Sequence, residues 1–431
     1  MTAPTILLYD GDTEYDISDQ AYALSIRRGR SRSLDTFPPG TCVINLRNYN
    51  RDFDPSEWVT DTGLLLQEND DALLQENTDN ILLEYISPGA GAYGTIRSGM
   101  KLIVKHGATT VFTGYVEDWD YTWDADKRAL ASLTALDPLA ILGNTDLVEY
   151  FGVADPDTGV KPVLPEERGT VGQRILNVLG RDGVDYPIPD DYDYIFTGNT
   201  DLLQADTVSF GTNCLAYIQQ IVLSVTGRFF ARRDGLLQYL HRHSVLPYQV
   251  ATSATFSDTG TDIDIAGVSI TYGSEELHFG VSAQRAGGRA VERLASSNPS
   301  ATTLGLRMLT MSGLLLECDA ASEAMAEWLL TRYSNQQAYV SELLVKMESL
   351  SSGNQTTVAG LEIGDLIDLT WTPTGVGDTI TEVLVIEGIG YSASYDDVTM
   401  VTLQLSPAPS DEWLILNDAT YGVLDLNKIG Y

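Results

Sequence analysis

The feature that most constrains this chain is a side-chain period of two. In AYALSIRRG, Tyr22, Leu24 and Ile26 share one face; in TCVINLRN, Cys42, Ile44 and Leu46 do the same. Such alternation fits pleated strands that bury one side against a core. Turn-forming pairs punctuate the runs, at Asp10-Gly11-Asp12, His106-Gly107 and Asp124-Ala125-Asp126. The pattern returns after residue 338 in AYVSELLVKME, GLEIGDLIDLTWTP, DTITEVLVIEGIGYSASYD and DVTMVTLQLSP. The expected fold is therefore mainly β with minor α, an α+β chain with a β region at each end, the second a barrel or sandwich.

Between the ends the period changes. TVGQRILNVLG reads as a helix, with Thr170 and Gln173 as a capping box, Val171, Ile175, Val178 and Leu179 as the apolar face, and Gly180 as the stop. TNCLAYIQQIVLSVTG places Leu215, Ile218, Val222 and Val225 at helical spacing before Gly227. RFFARRDGLLQYL reads as a hairpin on Asp234-Gly235. DAASEAMAEWLLTRYSN predicts a helix capped by Asp319, with Met325, Trp328, Leu329 and Tyr333 buried. The resulting division is 1–148, a first β domain with an acidic insert around 60–95; 149–245, a mixed region; 246–410, a second β domain carrying a helix over 319–334; and 411–431, a C-terminal arm.

The insert repeats itself: LLQEN at 65–69, LLQEN again at 73–77, then ILLEY at 81. A shift of eight rotates an α-helix roughly 80° past two full turns, so the Leu pairs would make no stripe. In a strand the same shift keeps the face. The expectation is three short strands joined by tight turns, with an apolar and an acidic face. The segment 61–90 holds seven acids and no Lys or Arg.

With 26 basic and 60 acidic residues the net charge is −34. This disfavours nucleic acid and anionic membranes as ligands, since both need clustered cations. Three well-separated cysteines, Cys42, Cys214 and Cys318, without a CxxC, point to buried thiols made in a reducing cytoplasm. The N-terminus lacks a signal-peptide pattern, and no apolar stretch reaches the ~18 residues of a membrane span.

Catalytic signatures are weak. GAGAYG at 89–94 spells GxGxxG, but a strand pattern follows it where a phosphate site needs a helix. His241 and His243 could share a strand face without a third ligand. DPDTG at 155–159 lacks the remaining calcium ligands. No catalytic residue, metal ligand or cofactor site is expected. The unusual charge feature is Arg27, Arg28, Arg30 and Arg32 in an acidic chain, expected to dock on acidic surface of a neighbouring copy or partner.

RRGRSRSLDTFPPGTCVINLRNYNRDFDP, with Leu46, Asn48, Phe53, Asp54 and Pro55, resembles the N-terminal signature of minor tail proteins of long, non-contractile-tailed bacteriophages. VFTGYVEDW with ASLTALDPLAIL, the 214–240 helix-plus-hairpin block, LEIGDLIDL, VLVIEGIGYSA, TLQLSPA and the ending WLILNDATYGVLDLNKIGY match later blocks in order. The resemblance implies a tail-tip or baseplate-hub-like virion protein made in the host bacterial cytoplasm, with two tail-tube-like β barrels joined by a small mixed region. It further implies a homo-oligomeric ring, a trimer favoured, contacting tail tube, distal tail, tape measure and receptor-binding proteins, with roles in tail assembly, host attachment and genome ejection. Expected interface residues are Arg27, Arg28, Arg30, Arg32, Leu65, Leu66, Leu73, Leu74, Leu82, Leu83, Trp413, Tyr421 and Tyr431. The rivals are a distal-tail-type adaptor ring, a carbohydrate-binding module using Trp119, Tyr121 and Trp123, and a tail-borne cell-wall hydrolase. The three aromatics fall on one face by period two, which favours a core strip.

Overall fold

The computed structural model describes residues 4–54, 96–123, 129–148, 164–181, 183–184, 194–195, 197, 202–245, 250–274, 276–295, 298–335, 338–375, 377–394 and 398–409. The 63–85 repeat, GAGAYG, DPDTG, the 124–126 turn and the C-terminal arm lie outside them, and with them Leu65, Leu66, Leu73, Leu74, Leu82, Leu83, Trp413, Tyr421 and Tyr431.

The N-terminal strands are β1 (Thr5–Asp10), β2 (Thr13–Asp16), β3 (Ala21–Gly29), β4 (Thr41–Arg47), β5 (Lys101–His106), β6 (Thr109–Trp123) and β7 (Ala129–Leu136). The turns fall where the sequence puts them, with Gly11 and Gly107 at φ 60° and 59°, a region glycine enters without strain. Helix α1 (Pro138–Gly143) follows β7. Its signal was Asp137-Pro138: the carboxylate caps the Leu139 amide at 3.0 Å and proline occupies the first helical position.

Helices α2 (Val171–Leu179) and α3 (Cys214–Leu223) match their apolar patterns. Thr170 Oγ1 accepts from the Gln173 amide, and Val171, Ile175, Val178 and Leu179 are buried. After α3 the left-handed residue is Thr226, at φ 52°, and not the expected Gly227. The hairpin of β8 (Arg228–Ala231) and β9 (Leu237–Leu240) turns at Gly235.

The C-terminal half contributes β10 (Ala254–Ser257), β11 (Ile263–Asp264), β12 (Gly267–Thr271), β13 (Gly280–Arg285), β14 (Ala290–Leu294), helix α4 (Pro299–Leu304), β15 (Met308–Leu314), helix α5 (Asp319–Tyr333), β16 (Tyr339–Lys346), helix α6 (Ser352–Gly360), β17 (Leu366–Trp371), β18 (Ile380–Ser394) and β19 (Thr399–Pro407). In α5 the cap position is Cys318 without a side-chain cap bond, and Asp319 binds Arg285 at 2.7 Å instead. Cys318 is exposed, against expectation, whereas Cys42 and Cys214 are buried.

The chain is mainly β, as expected, but its ends do not form separate sheets. Fourteen strands join in one sheet in the order β11-β10-β17-β18-β3-β4-β7-β6-β5-β1-β2, with β19, β16 and β12 branching from β18. One apolar cluster, from Ile6 and Leu8 through Phe112 and Leu133 to Phe256, Leu343 and Leu403, fills both ends together. A second core holds α2, α3, α5 and the three-stranded sheet β14-β13-β15. Among the described residues no helix is long and apolar enough to cross a membrane.

Candidate functional site

The two halves meet along β18, a strand of 15 residues. On one edge its first half pairs with β17 and its second half with β3, while β19 follows the other edge. The partner changes at a bulge between Ile386 and Gly388. A bulge re-aims the side chain it carries, and here Glu387 is fully buried.

Two arginines close around that carboxylate. Arg30, just past β3, donates Nε–H to Oε2 at 2.8 Å, and Arg228 of β8 donates to Oε1 at 2.8 Å. Ser406 of β19 adds a hydroxyl at 2.7 Å. Burial alone would raise the pKa of this carboxyl, but the two guanidiniums outweigh it and hold Glu387 well below the usual carboxylate range. Burial lowers the pKa of Arg30, opposed by Glu387. The Arg30 guanidinium also lies 4.5 Å from the Phe37 ring centroid and donates to the Asp35 carbonyl at 2.8 Å.

Arg28 makes the second bridge. Its guanidinium pairs with Glu362 and reaches the Val111 carbonyl of β6 at 3.4 Å. Glu362 also accepts the Arg233 amide at 2.9 Å, bringing in the β8–β9 turn. Nearby Asp137 accepts the Gly40 amide at 2.7 Å. Burial pushes its carboxyl up to about 7, against the Gly40 and Leu139 amides and Arg28.

The arginine spacing follows from the strand. Arg28 and Arg30 lie on the buried side and Arg27 and Arg32 are exposed. Gly29 sits at φ +86°, and a Cβ there would stand 2.3 Å from the Glu387 carbonyl oxygen. Only glycine lets the backbones of β3 and β18 approach so closely. Arg28 and Arg30 thus bind carboxylates of their own chain, and their part in the expected docking on another subunit is replaced by this intrachain role. Burial between strands closed their side chains off from a partner. Arg27, which donates to Ser31 Oγ at 2.8 Å, edges an open trough of about 260 Å³ floored by Gly29, Gly388 and Gly390.

Sequence reading missed Glu387, Glu362, Arg228 and Asp137. Glu387 had a signal: an acid in the inward-facing run VLVIEGIGY, where a lone charge demands a buried partner. The aromatic face of β6 is split. Trp119 stacks on Phe53 at 5.9 Å and Tyr121 donates to the Phe53 carbonyl at 2.7 Å, but Trp123 is 54% exposed rather than in a core strip. His241 and His243 have ring centroids 5.0 Å apart, and no group of three or more metal-ligating side chains occurs among the described residues.

The junction ties the two chain ends together through buried ion pairs. Its comparison with solved structures decides the fold. A 43 kDa tail protein of prophage MuSo2 from Shewanella oneidensis superposes with TM-score 0.55, covering 94% of this chain and 98% of that one at 13% identity. A tail protein from Neisseria meningitidis MC58 gives 0.57, with 94% and 96% covered, also at 13% identity. The fold is that of a phage tail protein. No protein-family model matches the sequence, and no curated protein matches it.

Proposed function

We propose that the chain is a structural subunit of a bacteriophage tail tip: a hub-like protein whose copies form a ring that closes or extends the tail tube and connects it to host-binding parts. The observation that carries this reading is the tail-protein fold over 94% of the chain. In this reading each β half is a tail-tube-like barrel segment, completed in the ring, and the Arg–Glu junction keeps the halves in fixed register. Arg27, Arg32 and the C-terminal arm with Trp413, Tyr421 and Tyr431 face neighbouring subunits, and a trimer is the favoured state.

The charge distribution supports the same reading. Arg28, Arg30, Arg174, Arg228 and Arg242 are buried, which leaves the surface poorer in cations than the net charge of −34 already implies. An acid-rich lumen lets DNA slide because phosphate finds no clustered guanidinium to release counterions against. The role is architectural, in assembly and genome ejection, and not catalytic.

Antibody labelling of purified virions tests it. Label at the distal end of the tail, and tails that fail to assemble when the gene carries a stop codon, are the expected results. Label on the capsid, or virions without the protein, would overturn the proposal.

A further inference from the structure

Beside the Glu387 clamp lies a cavity of about 30 Å³, where the chain-end sheet meets the middle layer. Four arginines line it: Arg30 past β3, Arg228 of β8, Arg242 past β9 and Arg332 of α5. No acidic residue lines it among the described residues. Trp328 and Tyr333 of α5 form an aromatic wall. The Arg332 guanidinium lies 5.8 and 5.9 Å from their ring centroids, and that of Arg242 lies 5.9 Å from Trp328. On the β3 side Ser33 Oγ meets Tyr333 Oη at 2.7 Å.

The charges at this wall do not balance. Arg30, Arg228 and Arg242 are more than nine-tenths buried. Arg30 and Arg228 both converge on Glu387, each at 2.8 Å, so two positive charges share one carboxylate. The crowding is felt at Arg30: burial lowers its pKa, Glu387 opposes this, and the Arg228 charge lowers it again. Arg228 gives Nη2 to Glu387, and Arg332 gives Nη2 to the Pro407 carbonyl at 2.8 Å. Neither spends its Nε or Nη1 on a hydrogen bond among the described residues. Arg242 donates to the Val225 carbonyl at 3.3 Å and to His243 Nε2 at 3.1 Å.

Neighbouring acids leave the excess in place. Asp35 meets Arg30 through its main-chain carbonyl. Glu276 stands outside the wall, and burial raises its pKa toward the neutral acid, against the Arg32 and Arg332 charges. Guanidiniums held out of water without enough counter-charge are strongly unfavourable. The volume is roughly two to three times what one water needs. That admits a single small oxyanion and excludes a nucleotide or a sugar. Forked N–H donors are the groups that grip such an anion.

We propose that this arginine-walled cavity binds one tetrahedral oxyanion, phosphate or sulfate. The anion supplies the missing negative charge and links Arg228, at the junction of the chain ends, to Arg332 on α5. It extends the Glu387 clamp from the shared sheet into the middle layer. The site is independent of the tail-tip reading, and virion labelling does not bear on it.

Calorimetric titration of the purified full-length chain with inorganic phosphate, in chloride of matched ionic strength, tests it. Saturable uptake of one phosphate per chain is expected, displaced by sulfate, together with a rise in melting temperature. Arg332→Gln should weaken uptake by about tenfold or more and remove most of the rise, whereas Arg332→Lys, which keeps the charge, should lose less. Arg289→Gln, at a side chain 78% exposed and outside the cavity, should bind as the wild type does. Ser33→Asp places a carboxylate at the wall and should shut phosphate out, which keeps the test sound if Arg332→Gln folds poorly. Absence of saturable uptake by the wild type would overturn the proposal. So would uptake unchanged in both Arg332→Gln and Ser33→Asp, or lowered as much by Arg289→Gln, since binding would then report overall charge and not this cavity.

Discussion

Two arginine-rich stretches of this chain meet opposite fates. Residues 27–32 lie on a strand whose inner face is buried, and Arg28 and Arg30 find Glu362 and Glu387 more than 300 residues away. Arg285, Arg289 and Arg293 lie on or beside a small three-stranded sheet and lean on Asp319 and Glu323 of α5, a helix that follows closely in sequence. The first set is desolvated, so its carboxylates are obligatory. The second is screened by water, and its pairs contribute little. Arginine content therefore said less about function than the depth at which each guanidinium stops.

The comparison breaks most visibly at Glu387. Glu387→Gln leaves two buried guanidiniums without their counter-charge and should cost about 3–5 kcal/mol, read as a lower urea midpoint. A loss below 1 kcal/mol would mean that the junction is not the clamp described. Next comes Gly29→Ala, which places a methyl against the Glu387 carbonyl at positive φ; roughly 1–3 kcal/mol of strain is expected, with a matching fall in melting temperature.

The pH response sharpens the contrast within the junction. Asp137 has a folded pKa raised from 3.8 to about 7. Its contribution is therefore fully present below about pH 4 and lost as pH rises through about 7. Glu387 is shifted the other way, so its contribution is present above the ordinary glutamate range and lost as pH falls below it. Asp137→Asn should flatten the fall in melting temperature between about pH 4 and 7, while the acid limb set by Glu387 stays. An unaltered neutral limb would show that Asp137 is not its source.

The smallest effect belongs to the second stretch. Arg293→Ala removes a half-exposed pair with Glu323 and should change stability by less than about 1 kcal/mol in a thermal melt. A loss as large as that of Glu387→Gln would erase the distinction drawn here.

Local pattern foretold much of the fold. Helices α2, α3 and α5, the β8–β9 hairpin and the Gly11, Gly107 and Gly235 turns follow from capping residues, helical spacing and left-handed glycines within a few residues of one another. Helix α6 was not foreseen: SGNQTTVAG is rich in residues that favour turns, and tertiary packing of Val358 and Ala359 holds it. Trp123 misled because period two reports which face a residue shares and not how far the core extends along β6.

The sequence by itself determined the strand-rich ends, the mixed middle, the scarcity of cations and, through the order of its short motifs, the resemblance to tail proteins. Those properties are written in neighbours at most a few turns apart. Only the tertiary structure decided that the two ends share a sheet and that Arg28 and Arg30 turn inward. The physical reason is range: propensity and periodicity act over one element, whereas burial and charge pairing join residues that the chain brings together only when it folds.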